Sequence, residues 1–450
     1  MTLPSLRGLD LRRRDGAGFA AAFDGFLDQF VACHPGYASC RADLLPMLIP
    51  ESTAEAVWTT TRDCLDGVRR ILERRLTRDG GALLEELGYE ANAGWLAEMA
   101  ASTDAPALYT AFARADFVLS TEGPRLVELN VGPTVSGLGI MDRYADLAAP
   151  AIGRLVGPDA ARCLTLPRPA AAWAAHLRTL PGMDPVGRRP RVALVIPAED
   201  AGTVPADEAA WALGREGIDA EVVPVGDVGF AGPSARARGE RVDLVYGCFV
   251  YAEASAPPYR AFVERALRCR AAGGPVYVAP PLVNVLGNKG LLALVGDELG
   301  GGARSLLTPT RPLVPEALGH AREHRERLVL KPTMAFGGRG IAIGRECSPD
   351  AWSRLLEDAC GHRGRFVLQE HLESAAFDLP TAGGSGRYRV VLGCLAVGGR
   401  LAGFYTRYLP LDGGALVNIG FGATYAVACQ VRDEEVERWS QPRLSACGTS

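Results

Sequence analysis

Apolar positions in the first hundred residues recur at the spacing of an α-helix. Side chains three or four residues apart lie on one face of a helix, so such a series indicates a helix with one buried face. The two clearest series are Phe19, Phe23, Leu27 and Phe30, and Val68, Ile71, Leu72 and Leu76. The pattern predicts a helical N-terminal region over residues 1–105.

Farther along the chain, apolar and polar residues alternate with a period of two. The run ADFVLSTEGPRLVELNV alternates apolar and polar residues on both sides of a turn around Glu122 to Pro124. Alternation interrupted by a Gly-Pro turn is typical of a β-hairpin. We therefore expect a hairpin within residues 106–165. Residues 166–190 carry Ala, Pro and Gly without a strand pattern, and they indicate a connection between lobes that contains at most a short helix.

From Arg191 onward, short apolar runs alternate with helical ones. The runs are RVALVIP, AEVVPVG, VDLVYGCFV and PVYVAP. This alternation predicts a small parallel sheet of the Rossmann type over residues 190–285. No G-x-G-x-x-G follows the first run, which argues against a dinucleotide site. Residues 286–430 mix helices with hairpins, and residues 431–450 form a polar tail.

Composition narrows the class of protein. The chain has 450 residues, of which 48% are hydrophobic and 22% charged, and its formal net charge is -4. That balance gives no reason to expect nucleic acid or an anionic membrane as partner. No run approaches the roughly 20 apolar residues of a membrane span, and the first residues are too charged for a signal peptide. The 11 cysteines include no C-x-x-C pair, so we expect neither a zinc site nor a disulfide framework, and a cytoplasmic location.

Lysine is almost absent from the sequence. Of 48 basic side chains, only Lys289 and Lys331 are lysines, and the rest are arginines. The exchange matters little on a surface, but a compact ammonium on a flexible stem meets a phosphate differently from a guanidinium. These two positions are therefore candidates for phosphate contacts, although Lys289 stands in an apolar segment and could also extend to the surface.

A glycine-rich turn follows one of the two lysines. Lys331 ends an apolar strand, and Gly337, Gly338 and Gly340 lead into the next one. Glycines permit positive φ angles and close approach of backbone N–H groups to phosphates. The segment predicts a phosphate-binding loop, with an ordinary glycine hairpin as the alternative.

Polar residues end the strand RFVLQEHLE. Gln369, Glu370, His371 and Leu372 could offer backbone groups to an adenine edge and a carboxylate to a ribose. The alternative is an ordinary strand that ends in a polar turn.

Oxygen-bearing side chains lie on the predicted hairpin. Glu128 and Asn130 are two residues apart and share a face, as do Arg114 and Asp116. Oxygens of Asp116, Glu128 and Asn130 suit Mg²⁺ that also binds nucleotide phosphates. Arg114 could meet a phosphate or a substrate carboxylate. A solvated face with a salt bridge is the alternative.

Together these four segments resemble the nucleotide site of ATP-grasp enzymes. The Glu-x-Asn segment ordinarily follows the lysines in that family, but here it precedes them by more than 150 residues. This order resembles the circularly permuted members, the synthetase domain of glutathionylspermidine synthase and eukaryotic-type glutathione synthetase. The run R-A-D…E-L-N and the phrase PPLVNVLGNKGLLALV are similar to segments of the former. The resemblance covers about residues 110–425.

The resemblance implies a fold and a set of roles. The fold would be an α/β (α+β), circularly permuted ATP-grasp fold with an inserted Rossmann-like unit and a helical N-terminal region. Residues 106–165 would be its permuted segment, and residues 286–430 its nucleotide-binding lobes. The implied Mg²⁺ ligands are Asp116, Glu128 and Asn130. The implied ATP-binding residues are Lys289, Lys331, Gly337, Gly338, Gly340, Gln369, Glu370, His371 and Leu372, with residues 335–340 as a mobile loop.

The implied activity is ATP-dependent amide-bond formation. Arg407 resembles the arginine that stabilises an acyl phosphate, and Arg114, Arg387 and Arg389 could hold a substrate carboxylate. Arg387 and Arg389 share a face of a predicted strand, and an exposed strand edge is the alternative for them. The expected partners are a small carboxylate and an amine, with an amino acid or short peptide as acyl donor and γ-glutamyl transfer as one option. No convincing Cys/His pair indicates an amidase, since Cys33-His34 falls at a predicted helix end. A small-molecule kinase and a non-catalytic nucleotide-binding module stay open, and the substrates and oligomeric state are not determined.

Overall fold

The computed structural model describes residues 7–8, 16–33, 41–79, 81–102, 112–132, 137–156, 164–200, 206–381 and 384–434. Its helices are α1 (Gly16–Cys33), α2 (Glu51–Asp79), α3 (Ala82–Glu86), α4 (Ala93–Ser102), α5 (Ile140–Val156), α6 (Pro169–Leu177), α7 (Ala206–Arg215), α8 (Tyr251–Ala254), α9 (Pro257–Ala271), α10 (Val283–Leu286), α11 (Lys289–Val295), α12 (Gly301–Leu306), α13 (Leu318–Glu323) and α14 (Pro349–Cys360). None of these helices is long and apolar enough to cross a bilayer.

Twenty strands lie within the described residues. They are β1 (Arg7–Gly8), β2 (Arg41–Ala42), β3 (Met47–Pro50), β4 (Ala113–Ser120), β5 (Gly123–Val131), β6 (Arg191–Ile196), β7 (Asp219–Pro224), β8 (Val228–Ala231), β9 (Ser234–Ala237), β10 (Glu240–Arg241), β11 (Leu244–Gly247), β12 (Val276–Val278), β13 (Thr310–Pro312), β14 (Leu328–Pro332), β15 (Ala342–Ile343), β16 (Phe366–Glu370), β17 (Phe377–Thr381), β18 (Gly384–Val397), β19 (Arg400–Pro410) and β20 (Thr424–Val431). The architecture is mixed α/β with several separate sheets, as predicted.

The largest sheet brings the two halves of the chain together. Its main path runs β1-β3-β20-β19-β18-β4-β5, with β17 attached to β18 and β2 to β20. The long β18–β19 hairpin turns at Gly398 and Gly399, whose φ angles of 56° and 74° lie in the left-handed region that glycine adopts without strain. The predicted hairpin, β4 and β5, forms one edge. The hairpin prediction is therefore confirmed.

The N-terminal region is mostly but not entirely helical. Helices α1 and α2 carry the predicted apolar series, and Phe19, Phe30 and Val68 are buried. Strand β3, however, pairs in parallel with β20 and is buried at all four residues. A four-residue apolar run is too short for its period to separate strand from helix, which is why the sequence did not reveal it.

Helix α2 supports the segment that carries one of the lysines. It packs on β18 and on α11 and α12. A Cβ atom at Gly67 would lie 2.6 Å from Cγ2 of Val295, so the close approach of α2 to α11 requires glycine there. The N-terminal region thus fixes the position of α11.

A small parallel sheet follows, in the order β12-β11-β6-β7. It confirms the small parallel sheet that the alternating runs predict. A three-stranded antiparallel sheet, β8 to β10, is inserted between β7 and β11 and was not predicted. Helix α6 is the short helix expected between residues 166 and 190.

A third core lies in the sheet β13-β16-β14-β15. Helices α13 and α14 cover it, and the indole N–H of the fully buried Trp352 donates to the carbonyl of Ala321 at 2.9 Å. The backbone N–H of Thr308 donates to the carbonyl of Leu126 at 3.1 Å, which ties this sheet to the hairpin. Strand β20 ends at Val431, the first residue of the predicted polar tail. Residues 435–450 lie outside the described residues.

Candidate active site

The Asp116 carboxylate accepts hydrogen bonds from three side chains on one face of the hairpin. Its carboxylate is 2% exposed. Arg114 Nε lies 2.7 Å from Oδ1 and its Nη2 lies 2.9 Å from Oδ2. Arg407 Nη2, from β19, lies 2.8 Å from Oδ2, and Asn130 Nδ2 donates to the same oxygen at 3.1 Å. Burial by itself would raise the pKa of Asp116, but the two guanidinium groups hold that pKa below its usual value.

The strand register explains why these side chains meet. In the antiparallel pair β4–β5, Arg114 lies opposite Asn130 and Asp116 lies opposite Glu128. Residues two apart on a strand point to the same side. The sequence predicted that each of these pairs on one strand shares a face, and the register brings all four side chains to the same face. Strand β19 adds Arg407 from a distant part of the chain.

Lys289 joins Glu128 to the glycine loop. Its Nζ lies 2.9 Å from Glu128 Oε1 and donates to the carbonyl of Ala335 at 2.8 Å. Lys289 is the first residue of α11, after the N-cap Asn288. Burial by itself would raise the pKa of Glu128, but the ammonium groups of Lys289 and Lys331 bring that pKa below its ordinary value.

Lys331 is held by a buried amide. Its Nζ lies 2.5 Å from Gln369 Oε1, and Gln369 Nε2 donates to the carbonyl of Val127 at 3.2 Å and to Thr310 Oγ1 at 2.8 Å. Gln369 is 3% exposed. Burial lowers the pKa of Lys331 to about 8, although the Glu128 carboxylate opposes that change. The second lysine of the chain therefore also faces the hairpin.

The glycine loop takes a conformation that needs glycine. Gly337, Gly338 and Gly340 have φ angles of 69°, 79° and 71°. A Cβ atom on Gly338 would lie 3.0 Å from the ring of Phe421, and one on Gly340 would lie 2.9 Å from Cγ of Pro332. Left-handed backbone and close packing both exclude larger residues here.

A cleft of about 500 Å³ lies between the sheet β13–β16 and the large sheet. The predicted site residues that line it are Asp116, Glu128, Lys331, Gly338, Gln369, Glu370, His371, Leu372 and Arg407. The backbone N–H of Glu370 donates to Pro309 and that of His371 to Arg327. Within the described residues, the N–H of Leu372 has no such partner, which leaves it available to the edge of a base.

A second cavity of about 700 Å³ adjoins this cleft. Arg407 and Asn418 line both spaces, and Arg114, Asn130 and Gly337 line the second one. The Nε atom of Arg407 is buried and has no hydrogen-bond partner in the described part of the chain. A buried donor without a partner is unusual in a folded protein, so the junction of the two spaces is suited to a ligand oxygen.

The second cavity also contains residues that the sequence did not indicate. They include Tyr89, Tyr251, Glu253 and Asn418. Each stands in a loop or short element with no motif around it, and Tyr89 comes from the N-terminal region. Their common position depends on how three sheets pack, which no local pattern encodes.

Two of the three implied Mg²⁺ ligands, Glu128 and Asn130, keep an oxygen that could bind the ion, whereas both oxygens of Asp116 accept hydrogen bonds from Arg114, Arg407 and Asn130. Across the described ranges, no group of three or more His, Cys, Asp or Glu side chains could hold a metal by itself. Glu128 uses one oxygen for Lys289, and Asn130 uses its amide nitrogen for Asp116. Glu128 Oε2 and Asn130 Oδ1 have no partner among the described residues. Hard oxygens of this kind are what Mg²⁺ prefers when phosphates complete its shell.

Arg387 and Arg389 occupy different environments. Arg389 lines the first cleft and donates to the carbonyls of Leu411 and Gly414 at 2.7 and 2.8 Å. Arg387 is exposed and lines neither space. Arg389 thus shapes the loop at the cleft. Of the Cys33-His34 pair, Cys33 ends α1 and His34 lies outside the described residues.

Comparison with known proteins adds information on the fold. No protein-family model and no curated protein matches the sequence. A glutathione synthetase-like effector from Globodera pallida is similar in structure, with a TM-score of 0.55 and 13% identity over 87% of this chain and 90% of that one. A proposed gamma-glutamylcysteine synthetase from Methylobacillus flagellatus has a TM-score of 0.44, 11% identity and coverage of 77% and 87%. D-alanyl-alanine synthetase A from Vibrio cholerae has a TM-score of 0.34, 12% identity and coverage of 56% and 79%. The first likeness, over nearly the whole length of both chains, shows that this protein shares the fold of the glutathione synthetase-like effector.

Proposed function

We propose that this protein is an ATP-dependent carboxylate–amine ligase that forms an amide bond through an acyl phosphate and releases ADP and phosphate. The observation that carries the proposal is the position of Arg407 at the junction of the two spaces. One space is lined by six of the nine residues expected to bind ATP, and the other is large enough for a small substrate. The circular permutation of an ATP-grasp fold belongs to the same proposal, supported by the order of the segments.

The side chains supply what this chemistry needs. A carboxylate is a poor electrophile until its oxygen becomes a leaving group. Transfer of the γ-phosphoryl group breaks the P–O bond to ADP and forms a P–O bond to the substrate carboxylate. Negative charge gathers on phosphoryl oxygens, so catalysis depends on positioning and on cations. Arg407, Lys289 and Lys331 provide these cations beside the cleft.

The second half-reaction takes place at the same junction. The amine attacks the acyl carbon, a C–N bond forms, phosphate leaves and the amine nitrogen loses a proton. Closing the glycine loop over the phosphates would exclude water, which would otherwise hydrolyse the acyl phosphate. Arg407 would contact the carboxylate with guanidinium N–H groups other than Nη2, which Asp116 holds.

Asp116, Glu128 and Asn130 would hold Mg²⁺. When bound, the metal ion would neutralise charge on the β- and γ-phosphates and orient them. The acyl donor would be an amino acid or short peptide, because arginines line the second cavity and guanidinium groups bind carboxylates well. A γ-glutamyl donor is one option within this class.

Analysis of the nucleotide products tests the proposal. The full chain is incubated with Mg-ATP and with pools of carboxylic acids and amines, separately and together. Release of ADP that requires both pools supports the ligase. AMP with pyrophosphate would mean adenylation and would overturn the mechanism. ADP and a phosphorylated product from a single pool, with no acyl hydroxamate after hydroxylamine treatment, would identify a kinase instead.

A further inference from the structure

Glu253 is the acidic side chain of the second cavity. The described residues that line this cavity include no other carboxylate. The remaining charged lining residues are Arg114, Arg339, Arg365 and Arg407. A cavity with four guanidinium groups and one carboxylate offers a place for anionic groups and a separate place for a cation.

The Glu253 carboxylate is held by one oxygen and free at the other. It stands on α8, directly after the loop that follows β11. Its Oε2 accepts the backbone N–H of Val250 at 2.8 Å. No donor from the described residues reaches Oε1. One hydrogen bond therefore fixes the direction of the side chain, and a full negative charge stays available to a ligand.

Two tyrosine rings line the same cavity as this carboxylate. Tyr89 and Tyr251 both line the cavity, and their rings meet edge to face at 4.6 Å and 84°. Asn288 Nδ2 donates to the Tyr89 hydroxyl at 3.2 Å, and Asn92 Nδ2 donates to the Tyr251 hydroxyl at 2.9 Å. These contacts hold both rings in place, so the cavity that Glu253 lines has a rigid aromatic wall.

The surrounding charges favour a cation at this place. Burial raises the pKa of Glu253, and the nearby carboxylates of Asp200 and Glu199 raise it further. A bound ammonium group would relieve both effects, because it neutralises the carboxylate where it is partly shielded from water.

A second feature of the same cavity is a buried donor without a partner. Arg407 is 6% exposed, and its Nε has no partner within the described chain. A substrate carboxylate would give Arg407 a hydrogen-bond acceptor, and a cation would pair with the free oxygen of Glu253.

We propose that Glu253 binds a primary ammonium group of the substrate and thereby selects ammonium-bearing substrates over neutral ones. Two sources share this chemistry, an α-amino acid and a polyamine. The inference deepens the proposed ligase function and rests on it for the identity of the ligand as a substrate. The binding of an ammonium group at Glu253 can be measured without turnover.

The competing role of Glu253 is to cap its own short helix. Glu253→Gln separates the two roles, because glutamine keeps an oxygen for the N–H of Val250 but removes the charge. Glu199→Gln is the matched control. Glu199 adds to the same negative potential but does not line the cavity, and it accepts a hydrogen bond from the hydroxyl of Tyr259.

The experiment is calorimetric titration of the full chain with Mg²⁺ and a non-hydrolysable ATP analogue present. The probes are the common L-amino acids, putrescine and spermidine. Each probe that binds is compared with its hydroxyl counterpart, the 2-hydroxy acid or the diol. We expect Glu253→Gln to raise the dissociation constant of the ammonium-bearing probe at least about tenfold and that of its hydroxyl counterpart by less than about twofold. In Glu199→Gln, the dissociation constants of both probes should stay within about threefold of the wild-type values.

Three results would overturn the inference. They are the absence of binding by every probe at about 10 mM, an equal loss for the ammonium and hydroxyl members of a pair, and an equal loss in Glu199→Gln. Binding of an amino acid or of a polyamine distinguishes the two sources. If ammonium binding depends on Glu253 while ATP and both substrate pools yield no ADP, the ligase proposal fails and this one stands.

Discussion

Arg407 Nη2 lies 2.8 Å from Asp116 Oδ2, while the buried Nε of the same guanidinium has no partner in the described chain. The guanidinium is thus fixed by a carboxylate from the hairpin, and the residue lines both of the spaces that meet there. A guanidinium carries five N–H donors, so the contact with Asp116 can hold the side chain in place while other donors remain for a substrate.

Replacement of Arg407 by lysine should impair turnover more than nucleotide binding. Lysine keeps the charge next to Asp116 but cannot reach Asp116 and a substrate oxygen together. We expect kcat for ADP release to fall roughly 100-fold, in line with loss of one preorganised donor. The dissociation constant for a fluorescent ATP analogue should change by less than about threefold. Arg311→Lys, at an exposed position on β13, is the control. Equal losses in kcat and ATP affinity would contradict this role.

Lys331 should make ATP binding dependent on pH. Its pKa of about 8 in the folded protein lies below the ordinary value, because burial disfavours the ammonium form. The side chain is therefore charged below pH 8 and loses its proton as pH rises through that value. ATP affinity of the wild type should fall up to about tenfold per pH unit above roughly pH 8.

The variant Lys331→Met gives the matched comparison for this titration. At pH 7 it lacks a charge-assisted phosphate contact, and its affinity should be at least about tenfold weaker than wild type. At about pH 9.5 the two proteins should converge, because the wild-type lysine is then mostly neutral. Calorimetry across this range checks the prediction. A constant ratio between the two proteins would show that Lys331 does not act through its charge.

Replacement of Glu128 by glutamine should raise the requirement for Mg²⁺. The change removes an anionic oxygen from the expected metal site and the counterion of Lys289, 2.9 Å away. We expect the Mg²⁺ concentration for half-maximal ADP release to rise at least about tenfold. Thermal melting would show whether the fold survives. A wild-type Mg²⁺ titration curve in this variant would remove Glu128 from the metal site.

Asp142 on α5 offers a test of stability away from the site. Burial raises its pKa to about 6, although its Oδ2 accepts the N–H of Ala170 at 3.1 Å. The folded state therefore binds more protons than the unfolded state between the ordinary value of 3.8 and about 6. The contribution of Asp142 to the free energy of unfolding should decrease as pH rises through that window and stay low above it.

The variant Asp142→Asn should remove this loss of stability. Asparagine is neutral at every pH and can still accept the hydrogen bond from Ala170. At pH 7.5 the variant should be more stable than wild type by roughly 1–2 kcal/mol, with little difference at about pH 4. Urea denaturation at both pH values measures this. A difference that does not depend on pH would show that the carboxylate is not the cause.

Part of the structure of this protein can be predicted from short stretches of its sequence. The hairpin follows from alternation around Gly123, and the glycine loop follows from residues that alone take positive φ without strain. The scarcity of lysine drew attention to Lys289 and Lys331, and the structure brings both to the face that carries Glu128. Each of these inferences used neighbours in sequence or the chemistry of a single residue.

The tertiary structure decided what depends on packing between distant segments. Strand β3 joins the large sheet only because β20 offers it a parallel edge. Tyr89 and Glu253 line one cavity although they come from the N-terminal region and from a short helix that follows β11 of the parallel sheet. The sequence placed Arg407 on a late strand, but only the pairing of β18 with both β4 and β19 brings its guanidinium to Asp116. Periodicity reports which face of an element is buried, whereas the partner of that face is selected by long-range packing that no local pattern contains.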